Sequence, residues 1–410
     1  MVHLSTFAAA ILSTSAAADV PATMAAFVAD SASRFKYDPA FRTPAAADLA
    51  KTFSDCQGPA VLVQVMASSV NPCDKGTDAA LTPKALGSDI AGVVVATSGG
   101  GSRLKVGDRV FGDIGANAHL ASGSGAKTKE LGAYAQYAVA LESQVGVFPG
   151  GVGFVEAGSL PKVALTSYKA LGWYAGGANS TDPLWKSGPT VLVLGGSGGT
   201  GTTGVQLAKI FGAGKVISTT SADNFAYVKS LGADQLIDYE ADNWWDISVL
   251  ADDSVDVVYD TVGQFGTGNR ALAKIRSGGH YVTITGALPS KTKAGVSADM
   301  FINSDTNLDN FGMLDAIAAH MAAGALRMPH IDSSFGLADV EAAFARSKTG
   351  KVVGKVSIAV ANATATAPGS AALGSGYAQC GTQCTKATDC LNPTTGACQW
   401  CSGGFCGGRR

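Results

Sequence analysis

The sequence predicts an α/β protein in which an irregular β-barrel precedes a doubly wound parallel sheet, followed by a cysteine-rich tail. Three observations support this prediction. Residues 22–160 contain short β-type runs that glycine and proline interrupt. From residue 190, apolar strands alternate with helical stretches, which is typical of βαβ units and a parallel sheet. Six of the eight cysteines follow residue 379, so the tail has a composition of its own.

Composition limits the kind of protein. The chain has 410 residues, more than one typical domain, and its 46% hydrophobic and 15% charged residues allow a sizeable core. A net charge of −2 gives no electrostatic reason to expect a nucleic acid or an anionic membrane as partner. No apolar run reaches the roughly 18 residues that a membrane-spanning helix needs. We therefore expect two folded units, with no nucleic-acid partner and no membrane partner.

The N-terminal half has the pattern of a β-barrel. β-type runs occupy residues 60–65 and 89–95, and a turn at residues 106–108 leads into a further run. Glycine-rich loops separate these runs, as at residues 99–102. Short strands divided by turns indicate an irregular barrel.

The middle of the chain alternates between strands and helices. Strands are predicted at residues 190–194, 216–220, 235–239, 255–262 and 280–285. Helices are predicted at residues 200–211, 224–231, 269–275 and 308–323. Because a helical crossover joins parallel strands, this alternation predicts a parallel sheet with helices on both faces.

A glycine fingerprint follows the first of these strands. Gly196, Gly198 and Gly201 form a G-x-G-x-x-G between a strand and a helix. The first glycine permits a tight turn, the second lets the backbone approach a pyrophosphate, and the third allows close helix–strand packing. The phosphates would lie at the start of the helix, at Gly199 and Thr200. The sequence therefore predicts a dinucleotide site.

The second strand of this unit indicates which dinucleotide binds. An NAD site places an acidic residue near the end of that strand, but residues 218–221 are Ser-Thr-Thr-Ser. Hydroxyl groups leave room for a 2′-phosphate and donate hydrogen bonds to it, whereas a carboxylate would repel it. Asp223 lies beyond, and we expect it to cap a helix. NADPH is the predicted cofactor.

Many segments together resemble a known family, the medium-chain dehydrogenase/reductases, over residues 24–358. The likeness is to its zinc-free quinone oxidoreductases and trans-acting enoyl reductases. The matching segments are NPCD at 71–74, GSDIAGV at 87–93, VGDRVFG at 106–112, GAYAQY at 132–137, QLAK at 206–209, VKSLGAD at 228–234, DTVG at 260–263 and GKVV at 350–353. The resemblance implies a GroES-like barrel of residues 22–160 completed by residues 325–360, and a Rossmann domain of residues 161–324 between them.

The resemblance also implies which residues surround the cofactor. Those at the nicotinamide end are Thr166, Gly263 and Gly286. Those at the adenosine end are Thr220, Ser221 and Asn224 around the 2′-phosphate, with Tyr239 beside the adenosine. Many quinone reductases have a basic residue where this chain has Asn224, and Asn224-Phe225 is similar to the enoyl-reductase branch.

The resemblance argues against a metal. Zinc members have a cysteine ligand where this chain has Asn71, and Gly-His-Glu where it has Gly87-Ser88-Asp89. Cys73 lies two residues out of register, and we expect a small buried thiol there. A tail zinc is possible through the Cys398-x-x-Cys401 spacing, but disulfides suit the tail better.

Without zinc, another group must polarise the acceptor. Hydride transfer to a quinone or an enone places negative charge on an oxygen, which a nearby donor or cation stabilises. In the family, the loop with Asn71 and Lys75 lines the cleft, and Thr166 is the third candidate. The alternatives are a solvated surface lysine for Lys75, and structural turns or caps for Asp74 and Asp108.

The sequence therefore predicts an NADPH-dependent reductase of a quinone or an α,β-unsaturated carbonyl compound. One alternative is an enoyl-thioester reductase. Another class is a non-catalytic NADPH-binding protein with an extracellular cysteine-rich binding module. The family often forms homodimers through the edge of the Rossmann sheet, so a homodimer is a further expectation.

Both ends of the chain suggest processing outside the cytoplasm. Residues 1–20 have a short apolar stretch and an A-x-A-like site at Ala16-Ala17-Ala18, which indicates a possible signal segment, although Lys and Arg are absent. Residues 361–376 have the composition of a flexible linker. Residues 377–410 are predicted to be a disulfide module, which implies an oxidising compartment. A cytoplasmic location is the alternative.

Overall fold

The computed structural model describes residues 20–31, 34–44, 59–75, 84–98, 102–114, 132–179, 181–300 and 311–361. The strands are β1 (Thr23–Ser31), β2 (Arg34–Arg42), β3 (Ala60–Ser69), β4 (Lys84–Ala85), β5 (Asp89–Thr97), β6 (Arg109–Asp113), β7 (Tyr137–Leu141), β8 (Val145–Val147), β9 (Thr190–Leu194), β10 (Lys215–Thr220), β11 (Gln235–Asp238), β12 (Val255–Asp260), β13 (Ile275–Thr283), β14 (Ser297–Met300), β15 (Ile331–Gly336) and β16 (Lys355–Ala359). The helices are α1 (Phe154–Gly158), α2 (Pro161–Ser167), α3 (Pro183–Lys186), α4 (Gly199–Ile210), α5 (Phe225–Ser230), α6 (Thr267–Lys274), α7 (Phe311–Ala322) and α8 (Val340–Lys348). The predicted signal segment, linker and cysteine module lie outside the described residues.

The barrel is built from both ends of the described chain. A seven-stranded sheet has the order β15-β16-β3-β5-β6-β8, with β7 also paired to β3. The late strand β16 pairs antiparallel with β3, so that Ser357 lies opposite Ser69. A second sheet has the order β2-β1-β4. Most side chains of β3 and β5 are buried, since these two strands form the centre of the barrel.

The middle of the chain forms a six-stranded sheet of the order β11-β10-β9-β12-β13-β14, and every pair in it is parallel. Helices cover this sheet, which explains why β9 and β12 are apolar runs with hardly an exposed residue. The order reverses between β9 and β12. In open parallel sheets, ligands bind in the crevice beyond the carboxyl ends of the strands at such a point.

The predicted α/β architecture is confirmed, with differences in detail. The predicted strand 255–262 ends at Asp260, where a turn begins. β14 was not predicted, because its four residues, SADM, contain no apolar run. After α2 the chain continues as a π-helical turn, Tyr168–Tyr174, which sequence periodicity does not reveal.

Two hydrogen bonds from backbone N–H groups join the barrel to the parallel-sheet domain close to the glycine fingerprint. The N–H of Gly354 donates to the carbonyl oxygen of Ser197 at 2.8 Å. The side chain of Gln206 on α4 accepts a hydrogen bond from the backbone N–H of Arg327 at 2.7 Å. The start of β16 is therefore held against the fingerprint turn. Within the described part of the chain, no helix is long and apolar enough to cross a membrane.

Candidate cofactor and substrate site

The fingerprint turn between β9 and α4 shows what each glycine contributes. Gly195 has the left-handed conformation of the turn, with a φ of +82°. A Cβ on Gly196 would lie 2.1 Å from the Oγ of Ser218 on the neighbouring strand. A Cβ on Gly201 would lie 2.0 Å from the carbonyl oxygen of Gly195, in agreement with the predicted close packing. The prediction that Gly196 supplies the tight turn is wrong, because Gly195 has that conformation and Gly196 is required for packing.

Gly198 is the open position of this turn. Apart from its chain neighbours, the only atom of the described residues within 4 Å of a Cβ built there is the carbonyl oxygen of Gly195, at 3.5 Å. No side chain of the described residues caps α4, so the first N–H groups of this helix have no side-chain partner there. A parallel bridge pairs the turn at Gly198 with Gly354 of the barrel. An uncapped helix start beside an open glycine fits a pyrophosphate.

The end of β10 presents hydroxyl groups where an NAD site would present a carboxylate. Thr220 is fully buried, and its Oγ1 has no hydrogen-bond partner in the part of the chain that the structure describes. The adjacent Ser221 accepts a hydrogen bond from the Nδ2 of Asn224 at 3.0 Å. The N–H of Tyr239, after β11, donates to the carbonyl oxygen of Thr220 at 3.4 Å. The four residues predicted for the adenosine end therefore lie together.

Asp223 does not have its predicted role. It lies inside a short 3₁₀ turn, Ala222–Asn224, and is exposed. The N-cap positions of this turn and of α5 belong to Ser221 and Asn224, and neither cap involves a side-chain hydrogen bond. The prediction that Asp223 caps a helix is therefore wrong.

Asp260 organises the turn beyond β12, at the switch point of the sheet. Its Oδ1 accepts hydrogen bonds from two backbone N–H groups of that turn, one of them that of Gly263, both at 2.9 Å. Its Oδ2 accepts a hydrogen bond from the hydroxyl of Tyr281 at 2.9 Å. Gly263 has a φ of +72°, and a Cβ there would lie 2.3 Å from the Oγ1 of Thr285. Gly286 also has a left-handed φ, of +82°.

Thr166 lies in α2, which packs against the start of α4. The hydroxyl of the next residue, Ser167, donates to the carbonyl oxygen of Thr200 at 2.9 Å, and Thr203 donates to the carbonyl oxygen of Val163 at 2.9 Å. Thr166 itself is 6% exposed, and its hydroxyl makes no hydrogen bond to the other described residues. This side chain therefore retains a donor close to the fingerprint helix.

A buried polar network joins the two segments in which the zinc members have their ligands. The Nδ2 of Asn71 donates to the Oδ2 of Asp89 at 2.8 Å and to the Oγ of Ser88 at 3.2 Å. The hydroxyl of Ser69 also donates to the Oδ2 of Asp89, at 2.6 Å. None of the four side chains is more than 3% exposed.

Lys355 completes this network from the other end of the chain. Its Nζ donates to the Oδ1 of Asn71 at 2.6 Å and to the carbonyl oxygen of Val70 at 2.9 Å, and lies 3.5 Å from the Oδ2 of Asp89. The side-chain amide of Asn71 is thereby engaged on both its oxygen and its nitrogen. Sequence analysis missed Lys355, although a lysine inside the apolar strand KVSIA is an available signal.

Comparison with known proteins identifies the family of the chain. Residues 57–150 match the family described as alcohol dehydrogenase GroES-like domain, and residues 231–358 match zinc-binding dehydrogenase. The chain is 36% identical to a 2-methylene-furan-3-one reductase of Solanum lycopersicum, over 73% of this chain and 71% of that protein. The chain belongs to the medium-chain dehydrogenase/reductase superfamily.

Other members of the superfamily extend this comparison. A chloroplastic NADPH-dependent alkenal/one oxidoreductase of Arabidopsis thaliana is 31% identical over 72% of this chain and 71% of its own length. A trans-enoyl reductase of Gibberella fujikuroi is 36% identical over 57% of this chain and 65% of its own length. The solved structure of the quinone oxidoreductase from Coxiella burnetii superposes with a TM-score of 0.62 at 25% identity, covering 82% of this chain and 99% of that one.

The residues of this superfamily member do not fit a catalytic zinc. Among the described residues, no three His, Cys, Asp or Glu side chains are placed to hold a metal ion. At the positions where the zinc members have their ligands, this chain has Asn71, Ser88 and Asp89. The amide nitrogen of Asn71 donates hydrogen bonds to both of the other side chains. The ammonium of Lys355 contacts both Asn71 and Asp89, and it would repel a metal cation there.

The carboxylate of Asp74 anchors the loop that contains Asn71. This carboxylate accepts hydrogen bonds from the backbone N–H of Asn71 at 2.9 Å, the hydroxyl of Ser88 at 2.5 Å and the hydroxyl of Tyr134 at 2.8 Å. Burial raises the pKa of Asp74, against the opposing charge of Lys162 and these hydrogen bonds. Burial and the nearby Asp74 carboxylate raise the pKa of Tyr134 well above its usual value. Asp74 therefore stabilises a turn, which is the structural role that the sequence analysis gave as its alternative.

Asp108 also has that structural role, since it accepts a hydrogen bond from the N–H of Lys105 within a turn, at 2.8 Å.

A buried ion pair holds the start of α2. The Nζ of Lys162 lies 2.9 Å from the Oδ2 of Asp113, and the backbone N–H of Lys162 donates to the Oδ1 of Asp89 at 2.7 Å. Burial, the largest single effect, would lower the pKa of Lys162, but the charges of Asp113, Cys73 and Asp74 and the hydrogen bond to Asp113 together outweigh it and raise the pKa.

Two predictions concern the short 3₁₀ turn Pro72–Lys75. Lys75 ends this turn, next to the loop that contains Asn71, but its side chain lies outside the described residues. Cys73 is an exposed free thiol. The prediction that Cys73 is buried is therefore wrong for the residue as a whole. Its sulfur is nevertheless close to the buried network, because local burial raises the pKa of the thiol to about 11 and the charges of Lys162 and Asp74 act on it.

Proposed function

We propose that this chain is an NADPH-dependent, zinc-independent reductase that transfers hydride to an α,β-unsaturated carbonyl compound or a quinone. The main support for the proposal is the end of β10, which has hydroxyl groups where an NAD site would have a carboxylate. There the hydroxyl of Thr220, which has no hydrogen-bond partner among the described residues, lies beside Ser221 and Asn224. The relatives named as NADPH-dependent alkenal/one and furanone reductases support the choice of acceptor.

In this proposal, different residues of the cleft bind different parts of the cofactor. The pyrophosphate is assigned to Gly196, Gly198, Gly199, Thr200 and Gly201. The 2′-phosphate is assigned to Thr220, Ser221 and Asn224, and the adenosine to Tyr239. The nicotinamide is assigned to Thr166, Gly263 and Gly286. NADPH supplies hydride, and the protein supplies position and stabilisation of charge.

The acceptor oxygen needs a hydrogen-bond donor as it gains charge. Thr166 is the best candidate for a catalytic donor, because its hydroxyl has no partner among the described residues. Asn71 has its amide engaged by Lys355, Ser88 and Asp89, so it contributes by shaping the pocket and by sharing its N–H groups. Lys75 is proposed as a cation at the same loop.

The test is an NADPH oxidation screen over quinones, enals, enones and enoyl thioesters, with NADH in parallel. We expect turnover with enones or quinones and a clear preference for NADPH. Binding of NADPH without turnover of any acceptor would refute the enzymatic proposal and favour the non-catalytic binding protein. Equal turnover with NADH would refute the cofactor assignment.

A second candidate is an enoyl-thioester reductase. The Asn224-Phe225 pair supports it, because Asn224 bonds to Ser221 at the position where a basic residue would approach the 2′-phosphate. The fungal trans-enoyl reductase at 36% identity also supports it. In the screen, a kcat/KM for enoyl thioesters above that for simple enones would identify this activity.

We infer a homodimer through the edge of the parallel sheet. Among the described residues, β14 pairs only with β13, and Met300 on it is 43% exposed. An unpaired edge strand readily pairs with another chain. Light scattering should give twice the mass of one chain, and a monomer at micromolar concentration would refute the inference.

A further inference from the structure

Lys355 connects the two parts of the proposed site through one side chain. Its ammonium, on a side chain 4% exposed, donates to the Oδ1 of Asn71 and to the carbonyl oxygen of Val70, in the loop that we assign to the acceptor site. Its stem lies against the fingerprint turn, where a Cβ on Gly199 would meet its Cδ at 2.8 Å. The preceding Gly354 donates its N–H to Ser197 of the same turn, at 2.8 Å.

The orientation of the Asn71 amide depends on this ammonium. An amide has an acceptor oxygen and a donor nitrogen of nearly equal size, so its neighbours decide which way it faces. Lys355 can only donate, and therefore selects the oxygen of Asn71. The nitrogen is then directed at Ser88 and Asp89. Removing the ammonium would leave the oxygen unpaired and the buried Asp89 carboxylate without its nearest cation.

We propose that Lys355 is a positioning residue for the reaction, which acts through Asn71 to hold the substrate loop against the phosphate-binding turn. It deepens the proposed function, because the acceptor pocket is the one that Asn71 shapes. Lys355 itself contacts neither cofactor nor acceptor in this scheme. Its removal should disturb the hydride-transfer geometry more than the binding of NADPH.

The first experiment compares Lys355→Met with Lys348→Met. Methionine retains the length of the stem and removes the charge, and Lys348 is an exposed lysine at the end of α8. For Lys355→Met we expect kcat to fall by about tenfold or more, the scale of a small misplacement, with the Kd for NADPH changed by less than about threefold. Lys348→Met should match the unmodified protein. A Kd that weakens as much as kcat falls would refute the proposal.

A double-mutant cycle with Asn71→Ala tests whether Lys355 acts through Asn71. If it does, Lys355→Met should lower kcat no further in the Asn71→Ala background, within about twofold. Independent, multiplicative losses would refute the proposal. If Lys355→Met does not fold, Lys355→Arg is used in the same cycle. It retains the cation, so we expect partial activity, and that remaining loss must also vanish in the Asn71→Ala background.

Hydrogen exchange provides a measurement that does not need turnover. In the cofactor-free protein, Lys355→Met should accelerate amide exchange in the loop of Asn71 and Asp74, whose N–H groups bond within that loop. Exchange in β9 should not change. Unchanged exchange in the loop would refute the proposal. Absence of turnover in the unmodified protein, together with the expected exchange pattern, would refute only the proposed function.

Discussion

Replacing Gly198 with alanine should separate cofactor binding from folding. Gly198 has a φ of −75° and a ψ of 168°, which any residue adopts. Within the part of the chain that the structure describes, the new methyl group would meet only the carbonyl oxygen of Gly195, at an ordinary van der Waals distance of 3.5 Å. Alanine is a poorer N-cap than glycine, so we expect the free energy of unfolding to fall by no more than about 1 kcal/mol.

The effect on cofactor binding should be larger. The methyl group would occupy the space that we assign to the pyrophosphate, and the loss of one hydrogen bond to a charged group costs about 1.5–3 kcal/mol. That loss corresponds to a Kd for NADPH roughly 10- to 100-fold weaker. Gly201→Ala is the matched control, because its Cβ would lie 2.0 Å from the backbone oxygen of Gly195. We expect this variant to lose stability, by about 1–3 kcal/mol.

Two measurements decide between these effects. Fluorescence titration with NADPH gives the Kd, and thermal unfolding without cofactor gives the Tm. Gly198→Ala should retain its Tm and bind NADPH weakly, whereas Gly201→Ala should unfold at lower temperature. A Gly198→Ala protein that binds NADPH as tightly as the unmodified protein would refute the assignment of the pyrophosphate to this turn. A large fall in its Tm would refute the claim that the position is open.

Three further predictions follow from the site. Ser221→Asp should weaken NADPH binding by about 2 kcal/mol, because a carboxylate would repel the 2′-phosphate; equal dissociation constants for NADPH and NADH in the unmodified protein would contradict this. Thr166→Val should lower kcat by about tenfold, with a smaller change in the Kd for NADPH, since it removes the unpartnered donor; full activity in steady-state assays would exclude Thr166 as that donor. Chelators should leave turnover unchanged, and stoichiometric zinc in a protein ending at residue 361, measured by elemental analysis, would overturn the argument from Asn71 and Lys355.

Much of the fold follows from local sequence patterns. The apolar run of β9 and the glycines that follow it predict a dinucleotide-binding strand–turn–helix unit, because strand burial and glycine packing act over a few residues. The hydroxyl groups at the end of β10 likewise follow from residue identity alone. The π-helical turn after Ser167 and the short strand β14 have no comparable local signal, and neither was predicted.

The candidate site divides in the same way. By itself, the sequence determined the fingerprint, the absence of an acid at the end of β10 and the replacement of the zinc ligands by Asn71 and Ser88, since each depends only on which residue occupies a position. Only the tertiary structure decided that Lys355, 284 residues away from Asn71, donates to its amide. That contact exists because β16 pairs with β3 and places its first residue beside the start of the Asn71 loop. Strand pairing between the two ends of the chain is a long-range choice, and no local pattern around Lys355 or Asn71 encodes it.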